Sequence, residues 1–251
     1  MKPKTELELM AMRDGGRILA GIFADLKKRV LPGVTELELD AWVEKEIRTR
    51  GAQPTYKDPA IGFPGVICIS TNDEVVHSVP SHRILRQGDV VSFDLVITYK
   101  TMKTDAAFTM VVGSEEPAAD VQRLVSATKK SLDAGIGVIR PGVRTGDVAA
   151  AIEVVLNKAG LGIVRELVGH GIGHEMHEEP EVPNYGKKGA GVILRKGMTI
   201  AIEPMAMLGS HRIVLDKTDG WSIRTADGSI AAHFEDTVLI TGNGAEILTR
   251  L

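Results

Sequence analysis

The sequence is poor in cysteine and has no long apolar run. Its one cysteine, Cys68, has no second thiol with which to form an internal disulfide, so a secreted disulfide scaffold is excluded and a reducing compartment, the cytoplasm, is expected. The longest apolar runs are the length of single strands, and the segment from Met1 to Leu9 mixes lysines with glutamates. A signal peptide or a membrane span would need a longer uncharged segment. We therefore expect a protein that is neither exported nor embedded in a membrane.

The sequence also lacks a dominant sign of charge. Its 30 basic and 33 acidic residues are interspersed and give a formal net charge of -3, so no continuous basic surface for a direct nucleic-acid site is expected. Hydrophobic residues make up 43% and charged residues 25% of the 251 positions, a balance that suits one compact unit with a sizeable core. We expect a single domain over residues 1–251.

What the sequence does contain is a faint internal duplication. Four matches share one offset of 109 residues: Pro32-Gly33-Val34 with Pro141-Gly142-Val143, Gly51 with Gly160, Arg86-Gln87-Gly88 with Arg195-Lys196-Gly197, and Asp94 with Glu203. Each proline-glycine-valine tripeptide precedes a helical pattern that ends at the matched glycine. Chance explains several matches in one register poorly, so the sequence predicts a repeated α-β unit over approximately residues 6–113 and 118–242.

Local patterns predict an α+β fold in which helices pack on a sheet. Helices are predicted over residues 6–30, 36–50 and 118–139, and from a cap at Thr145 to about Gly160. Capping boxes at Thr5 with Glu8 and at Thr35 with Glu38 mark the first two starts. Five apolar or β-branched runs predict strands: Val66 to Ser70, Val90 to Ile97, Asp105 to Val112, Met198 to Glu203, and Phe234 to Ile240.

Four of these predicted strands contain a carboxylate: Asp94, Asp105, Glu203 and Glu235. An isolated ionised carboxylate in a core costs many kcal/mol, so a buried one is protonated, paired with a base or bound to a metal. Any one of them alone fits a solvated strand face equally well, above all Asp105, which begins its strand soon after Lys103. Inward-facing residues of neighbouring strands can converge on one point. Together the four acids therefore predict a shared metal centre.

Histidines are concentrated in the segment from Gly169 to His177. His170 and His174 have the spacing of a zincin helix, but the alternating glycines disfavour a helix and predict a strand or loop that approaches a ligand closely. One histidine with four carboxylates suits two divalent ions such as Mn, Fe or Co better than a single histidine-rich zinc. His174 and His233 are expected to be structural.

Together these motifs resemble the type I methionine aminopeptidases of the pita-bread fold, over nearly the whole chain. The matching segments are Ser70-Thr71-Asn72-Asp73-Glu74-Val75-Val76-His77, Asp94 with Asp105, Gly169-His170-Gly171-Ile172-Gly173, His177-Glu178-Glu179-Pro180, Gly197-Met198-Thr199-Ile200-Ala201-Ile202-Glu203-Pro204, and Trp221 before Glu235. The resemblance implies two pseudo-symmetric α-β halves with an antiparallel sheet and the metals between them. It also implies a metallo-exopeptidase that removes the N-terminal methionine of nascent polypeptides, prefers a small second residue and uses a metal-bridged water.

The resemblance assigns a role to each matching residue. The five metal ligands are Asp94, Asp105, His170, Glu203 and Glu235, of which Asp105 and Glu235 would bridge two divalent ions, Mn, Fe or Co. The catalytic residues are His77, His177 and Glu203, and both histidines would also contact the substrate. The pocket for the methionine side chain is formed by Phe63, Cys68, Met176 and Trp221, with Ala60 and Ile61 at its rim. Relatives more often have tyrosine in place of Phe63 and phenylalanine in place of Met176.

Three alternatives share this fold. An X-Pro dipeptidase or aminopeptidase P has the same five ligands but usually an additional N-terminal domain, for which too few residues precede the first repeat. A non-catalytic pita-bread protein that binds peptides or ribosomes would have lost ligands that this sequence retains. Type II methionine aminopeptidases carry an insert between the ligands that correspond to His170 and Glu203, and this sequence has none. By analogy with the family we expect a monomer, with ribosome association possible through nascent chains.

Overall fold

The computed structural model describes residues 4–113, 116–140 and 142–251. Pro141, which belongs to one of the repeated tripeptides, lies outside the described residues. Within them the chain forms four α-helices: α1 (Glu6–Leu26), α2 (Glu36–Thr49), α3 (Ala119–Gly137) and α4 (Thr145–Lys158). The strands are β1 (Gln53–Pro54), β2 (Cys68–Thr71), β3 (Glu74–Val76), β4 (Val90–Tyr99), β5 (Met102–Val111), β6 (Gly162–Ile163), β7 (Gly169–Gly171), β8 (Glu178–Val182), β9 (Thr199–Ile202), β10 (Met205–Met207), β11 (Ile213–Leu215), β12 (Ile223–Thr225), β13 (Ala231–His233), β14 (Glu235–Ile240) and β15 (Ala245–Ile247).

The capping boxes predicted for the first two helices are confirmed. The Thr5 hydroxyl accepts from the Glu8 amide at 3.3 Å, and the Thr35 hydroxyl accepts from the Glu38 amide at 3.2 Å. The predicted cap at Thr145 is wrong. Arg144 is the N-cap of α4, while the Thr145 hydroxyl instead accepts from the Val192 amide at 3.2 Å, because the chain returns to this helix end from a distant loop.

A nine-stranded antiparallel sheet forms the centre of the molecule. Its order is β1-β4-β5-β14-β9-β7-β8, with β2 paired to β4 and β15 paired to β14. Two three-stranded sheets, β13-β10-β6 and β11-β12-β3, lie beside it. All five predicted strands are present, with ends that differ by a few residues. β9 ends at Ile202, just before Glu203 and Pro204, because proline has no amide hydrogen to continue the ladder.

The two halves of the chain place equivalent turns at the predicted offset. The helices α2 and α4 both have 14 residues and begin 109 positions apart, at Glu36 and Thr145 (145 − 36 = 109). Gly33 and Gly142 have φ values of +97° and +90°, which glycine adopts without steric cost. Isolated bridges join Thr35 to Ile84 and Arg144 to Ile193, again at matched positions. Each half therefore brings its helix back onto the sheet through the same turn.

The helices cover one face of the central sheet. Phe23 of α1 packs edge-on against Phe108 of β5 with ring centroids 4.7 Å apart, and Phe108 stacks on Phe93 of β4 at 5.2 Å. Phe93 and Phe108 are cross-strand partners, so their side chains share the face that the helix covers. Side chains alternate along a strand, and the neighbours Asp94 and Ala107 consequently lie on the opposite face.

Candidate active site

Three of the predicted ligands lie on that opposite face of the sheet. Asp94 on β4 is paired with Ala107 on β5, and Ala107 is paired in turn with Glu235 on β14. Asp105 precedes Ala107 by two positions and therefore shares its face. Strand register alone thus places three carboxylates side by side, although Glu235 is far from the other two in sequence.

The second half of the chain adds the remaining two predicted ligands. Asp236 pairs with Ile202, so Glu203 follows β9 at the level of Glu235. His170 lies in β7, and its Nε2 atom is 3.4 Å from Oε1 of Glu203. The structure thereby brings Glu203 and His170 to the same cluster.

The cluster has the compactness that a metal site needs. One ligand atom from each of Asp105, His170 and Glu235 lies within 4.8 Å of the other two, and all three residues are buried. Buried carboxylate oxygens of Asp94, Asp105 and Glu235 have no hydrogen-bond partner within the described part of the chain. Such atoms are costly unless another group satisfies them. Hard oxygen donors with one imidazole suit a divalent cation, so the residues present fit a metal.

Burial raises the pKa values of the carboxyl groups in the cluster. The pKa of Asp94 rises to about 7, and a hydrogen bond from the Tyr56 hydroxyl opposes this rise. The pKa values of Asp105, Glu203 and Glu235 are raised well above their ordinary range, first by burial and then by repulsion from neighbouring carboxylates. A cation in the cluster would relieve both effects, because it favours the ionised form of each acid.

His170 is held in a form that can bind a metal. Burial lowers its pKa to about 4, with a smaller contribution from His177, so its ring is neutral near pH 7. Its Nδ1 atom lies 2.9 Å from the carbonyl oxygen of Gly171 and, when protonated, donates to it. The lone pair of Nε2 then points towards the carboxylates. A hydrogen bond from the ring nitrogen that does not bind the metal commonly orients a metal-binding histidine.

The two predicted catalytic histidines lie beside the cluster. His77, His177, His170 and Glu203 line one cleft of about 480 Å³. The rings of His170 and His177 are perpendicular, with centroids 4.4 Å apart. Burial and the nearby His177 lower the pKa of His77 to about 4, and burial also lowers the pKa of His177. Both rings are therefore neutral near pH 7 and able to donate or accept one hydrogen bond at each nitrogen.

The structure also brings the four predicted pocket residues together. Phe63 and Cys68 are buried in one apolar cluster, against which Met176 and Trp221 pack. The rings of Phe63 and Trp221 meet edge-on with centroids 5.4 Å apart. Cys68 is the cross-strand partner of Asp94, so the apolar cluster adjoins the carboxylates. Of the predicted rim residues, Ile61 packs against the same cluster and Ala60 is exposed.

The sequence did not single out Tyr56, and it placed His233 among the structural histidines. Tyr56 is buried against Phe63 with ring centroids 4.9 Å apart and hydrogen-bonds to Asp94, but it lies in no recognisable motif. His233 is fully buried, and its Nε2 atom is 3.8 Å from Oε2 of Glu203, beside the cluster. His174 instead meets Glu8 of α1 at 2.9 Å, away from the carboxylates, as its expected structural role implies. His170 lies in a strand rather than in a zincin helix.

Comparison with known proteins now identifies the family. The sequence profile of metallopeptidase family M24 matches residues 10–242. This chain belongs to that family. It is 41% identical over 248 residues to methionine aminopeptidase 1 of Bacillus subtilis, covering 99% of this chain and 98% of the relative. It is likewise 42% identical over 247 residues to the methionine aminopeptidase of Clostridium acetobutylicum, covering 98% and 97%.

Solved structures also match over nearly the whole chain. The crystal structure of methionine aminopeptidase from Thermotoga maritima superposes with a TM-score of 0.96 at 40% identity and covers 100% of both chains. Prolidase from Pyrococcus furiosus, at 24% identity, superposes with a TM-score of 0.79 and shares the fold, over 99% of this chain and 65% of its own. The predicted pita-bread fold and the predicted family resemblance are confirmed. Within the described residues no helix combines the length and apolarity needed to cross a membrane.

Proposed function

We propose that this M24 metallopeptidase is an aminopeptidase that hydrolyses the first peptide bond of polypeptides beginning with methionine. The observation that supports the proposal is the convergence of the five predicted ligands, four of them buried and Glu203 partly buried, beside an apolar cluster of side chains. Full-length identity of about 40% to methionine aminopeptidases supports this activity and the class of metallo-exopeptidase. The shared fold alone would fit a prolidase equally well, and the sequence identity distinguishes the two.

We propose further that Asp94, Asp105, His170, Glu203 and Glu235 hold two divalent ions, Mn, Fe or Co. Two dications would offset the charges of the four carboxylates. The unpartnered oxygens of Asp94, Asp105 and Glu235 would gain partners. When bound, such ions supply an activated water and a positive charge that stabilises the developing negative charge on the substrate. By the family resemblance, Asp105 and Glu235 would be shared by both ions, and one carboxylate oxygen of each lies within 4.8 Å of a ring nitrogen of His170.

The protein's own side chains would then handle the protons and the substrate. Glu203 lies at the edge of the cluster with a raised pKa, so it is suited to accept a proton and return it to the leaving amine. His77 and His177 line the same cleft as neutral imidazoles and would hydrogen-bond to the substrate amide and to the oxygen that becomes negative.

The apolar cluster beside Asp94 would bind the side chain that is removed. Phe63, Cys68, Met176 and Trp221 offer polarisable, apolar surface that complements an unbranched thioether. A small second residue of the substrate is preferred in this proposal because the scissile bond has to approach the carboxylates closely.

We also propose that residues 1–251 form one catalytic domain built from repeats over approximately residues 6–113 and 118–242. The matched helices α2 and α4 support the repeat. A monomer that acts on nascent chains in the cytoplasm, at or near the ribosome, completes the proposal and rests on analogy with the family.

The test is hydrolysis of Met-Ala-Ser and of Gly-Pro by the protein loaded with Mn or Co, with chelated protein as the control. We expect methionine release from Met-Ala-Ser only with metal, and none from N-acetylated Met-Ala-Ser, because an exopeptidase needs the free amine. Cleavage of Gly-Pro in place of Met-Ala-Ser would indicate an X-Pro dipeptidase. Metal binding without hydrolysis of either peptide would indicate a non-catalytic protein.

A further inference from the structure

The small sheet β11-β12-β3 contains a buried carboxylate that the proposed reaction does not use. Glu74 is 5% exposed, and its carboxylate accepts hydrogen bonds from the amide of Thr71 at 2.7 Å and from two arginines. Arg83 donates to both of its oxygens, at 2.8 and 3.1 Å, and Nη2 of Arg224 donates at 2.7 Å. A buried carboxylate with this many donors is held in one position.

Arg224 is the partner that connects Glu74 to the rest of the sheet. Its guanidinium meets three carboxylates at once: Asp73 at 3.1 Å, Glu74 at 2.7 Å and Asp216 at 3.0 Å. The planar fork of an arginine permits this arrangement, whereas the single ammonium of a lysine does not reproduce it.

The two residues of this ion pair lie next to two residues of the active site. Glu74 begins β3, which leads directly into His77, and Arg224 lies in β12, which follows Trp221. Glu74 and Arg224 are cross-strand partners in the register of β3 and β12. The ion pair therefore links β3, which leads into the candidate catalytic residue His77, to β12, which follows the pocket residue Trp221.

The backbone by itself fixes these segments weakly. β3 and β12 have three residues each, and their register is irregular between Ile223 and Arg224. His77 has a φ of +58°, a conformation that a non-glycine residue keeps only when its surroundings impose it. The turn before β12 is stabilised separately, because Asp219 accepts from the amides of Trp221 and Ser222 at 2.8 and 2.9 Å.

We propose that the Arg224–Glu74 ion pair is a positioning device that sets the distance between Trp221 and His77, and through it the selectivity for the N-terminal side chain. This proposal rests on the function proposed above. Neither residue touches the substrate, because both act through the strands that they join. Loss of the pair should let the Trp221 loop shift relative to His77, which widens the pocket and misplaces the histidine.

The experiment compares Arg224→Gln and Arg224→Lys in a Trp42→Phe background, where Trp221 is the remaining tryptophan. For the Mn-loaded protein, we expect Arg224→Gln to lower kcat/KM for Met-Ala-Ser by roughly tenfold. The ratio of kcat/KM for Met-Ala-Ser to that for Leu-Ala-Ser should fall by a similar factor. We also expect a shift in the emission of Trp221. Arg224→Lys should show smaller changes in all three measurements, since lysine keeps the positive charge but not the planar fork of the guanidinium.

The matched control is Arg13→Gln, which breaks a two-bond pair between Arg13 and Glu246 at 2.7 and 2.8 Å. Its side chain is 29% exposed, against 28% for Arg224, but it joins α1 to β15 away from the cleft. This variant should keep the preference and the Trp221 emission of the parent. Asp216→Asn, which removes one partner of Arg224, should shift both readouts in the same direction as Arg224→Gln but less, and serves if Arg224→Gln does not fold.

The proposal is overturned if Arg224→Gln, or Asp216→Asn in its place, folds and keeps both the substrate preference and the Trp221 emission of the parent. It is also overturned if Arg13→Gln changes them equally, because the effect would then be one of stability. Should the parent itself release no methionine, the proposed function fails, and the Trp221 emission alone decides whether the ion pair positions that loop.

Discussion

The buried acids of the cluster are the residues whose chemistry depends most on their surroundings. Asp94 has a pKa of about 7 because it is enclosed by protein, whereas an aspartate on the surface is ionised far below that pH. Burial raises the pKa of Glu203 well above its ordinary value, and repulsion from Asp94 and Asp105 adds to the rise. These acids are thus poised for proton transfer or for exchange of a proton against a metal.

Replacing Glu203 tests its role as the group that carries the proton. We expect Glu203→Gln to lower turnover of Met-Ala-Ser by about 10²-fold or more, because glutamine keeps the shape but cannot accept and return a proton. The urea midpoint should stay near that of the wild type. The same change at Glu44, which lies on α2 in an ion pair with Arg48, should leave turnover unaltered. Near wild-type activity of Glu203→Gln would remove this residue from the mechanism.

Among the elements, the segment from Gly173 to Glu178 depends most on a neighbouring element. It carries Met176 and His177, and the start of the chain holds it in place. The Lys4 side chain is fully buried, and its Nζ atom is 3.1 Å from Oε2 of Glu178. The other carboxylate oxygen of Glu178 accepts from the amide of His174 at 2.7 Å. Lys4 therefore fixes one end of the segment that bears two candidate site residues.

Removing this buried ammonium should loosen the segment. We expect Lys4→Gln to lower the free energy of unfolding by about 1–3 kcal/mol, because the Glu178 carboxylate loses its cation in a largely buried place. Lys28→Gln is the matched control, since Lys28 pairs with Asp25 on the exposed side of the molecule and its side chain is 75% exposed. Urea unfolding measures both variants. If both changes lower the free energy of unfolding equally, burial of the Lys4–Glu178 pair adds nothing to its contribution to stability.

Considered as a whole, the molecule has its candidate metal site across the junction of its two halves. The described backbone ladder between β5 and β14 has two residue pairs, Glu235 with Ala107 and Asp236 with Ala106, and the Thr237 hydroxyl adds hydrogen bonds to the backbone of Asp105. A cation bound by Asp105 from one half and by His170 from the other would hold this junction together. Ligands that bind the folded state alone stabilise it in proportion to the logarithm of their concentration.

Metal removal should therefore destabilise the protein. At a free metal concentration of 100 times Kd, we expect each bound Mn ion to add about 2.7 kcal/mol relative to chelated protein. For a chain of this size, that corresponds to a rise in Tm of roughly 5–10 °C. Differential scanning calorimetry with and without chelator measures it. The absence of any shift at saturating Mn or Co would rule out the metal site.

The chelated protein should also lose stability as the pH rises from about 6.5 to 8. The raised pKa of Asp94, about 7 against an ordinary value of 3.8, means that folding favours its protonated form, and this contribution is lost as pH rises through the folded value. The pKa values of His77 and His170 are lowered to about 4, so these histidines change the stability only below about pH 6.5. They therefore do not oppose the decline between pH 6.5 and 8. Bound metal should remove the decline, because it keeps the carboxylates ionised. Chelated protein with constant or rising stability over this range would contradict the raised carboxyl pKa values.

Patterns within a few residues were sufficient to predict most elements and to nominate the acids of the candidate site. The capping boxes at Thr5 and Thr35 are local, so they could be read without the fold. Carboxylates such as Asp94 and Glu235 stood out because an ionised acid within an apolar run is costly when its strand face is buried. The family motifs then indicated the pita-bread fold and a resemblance to methionine aminopeptidases, which the comparisons confirm.

Contacts between distant parts of the chain could not be predicted in this way. Thr145 does not cap α4 because its hydroxyl accepts from the amide of Val192, which the chain brings back from a distant loop. The place of Tyr56 beside Asp94 depends on how its loop packs. The pairing of Glu74 with Arg224 joins residues 150 positions apart. Local sequence sets the preferences of each segment, whereas strand register and packing decide which side chains meet. The tertiary structure alone therefore decided which residues surround the predicted metal ligands and which ion pair joins the segments of His77 and Trp221.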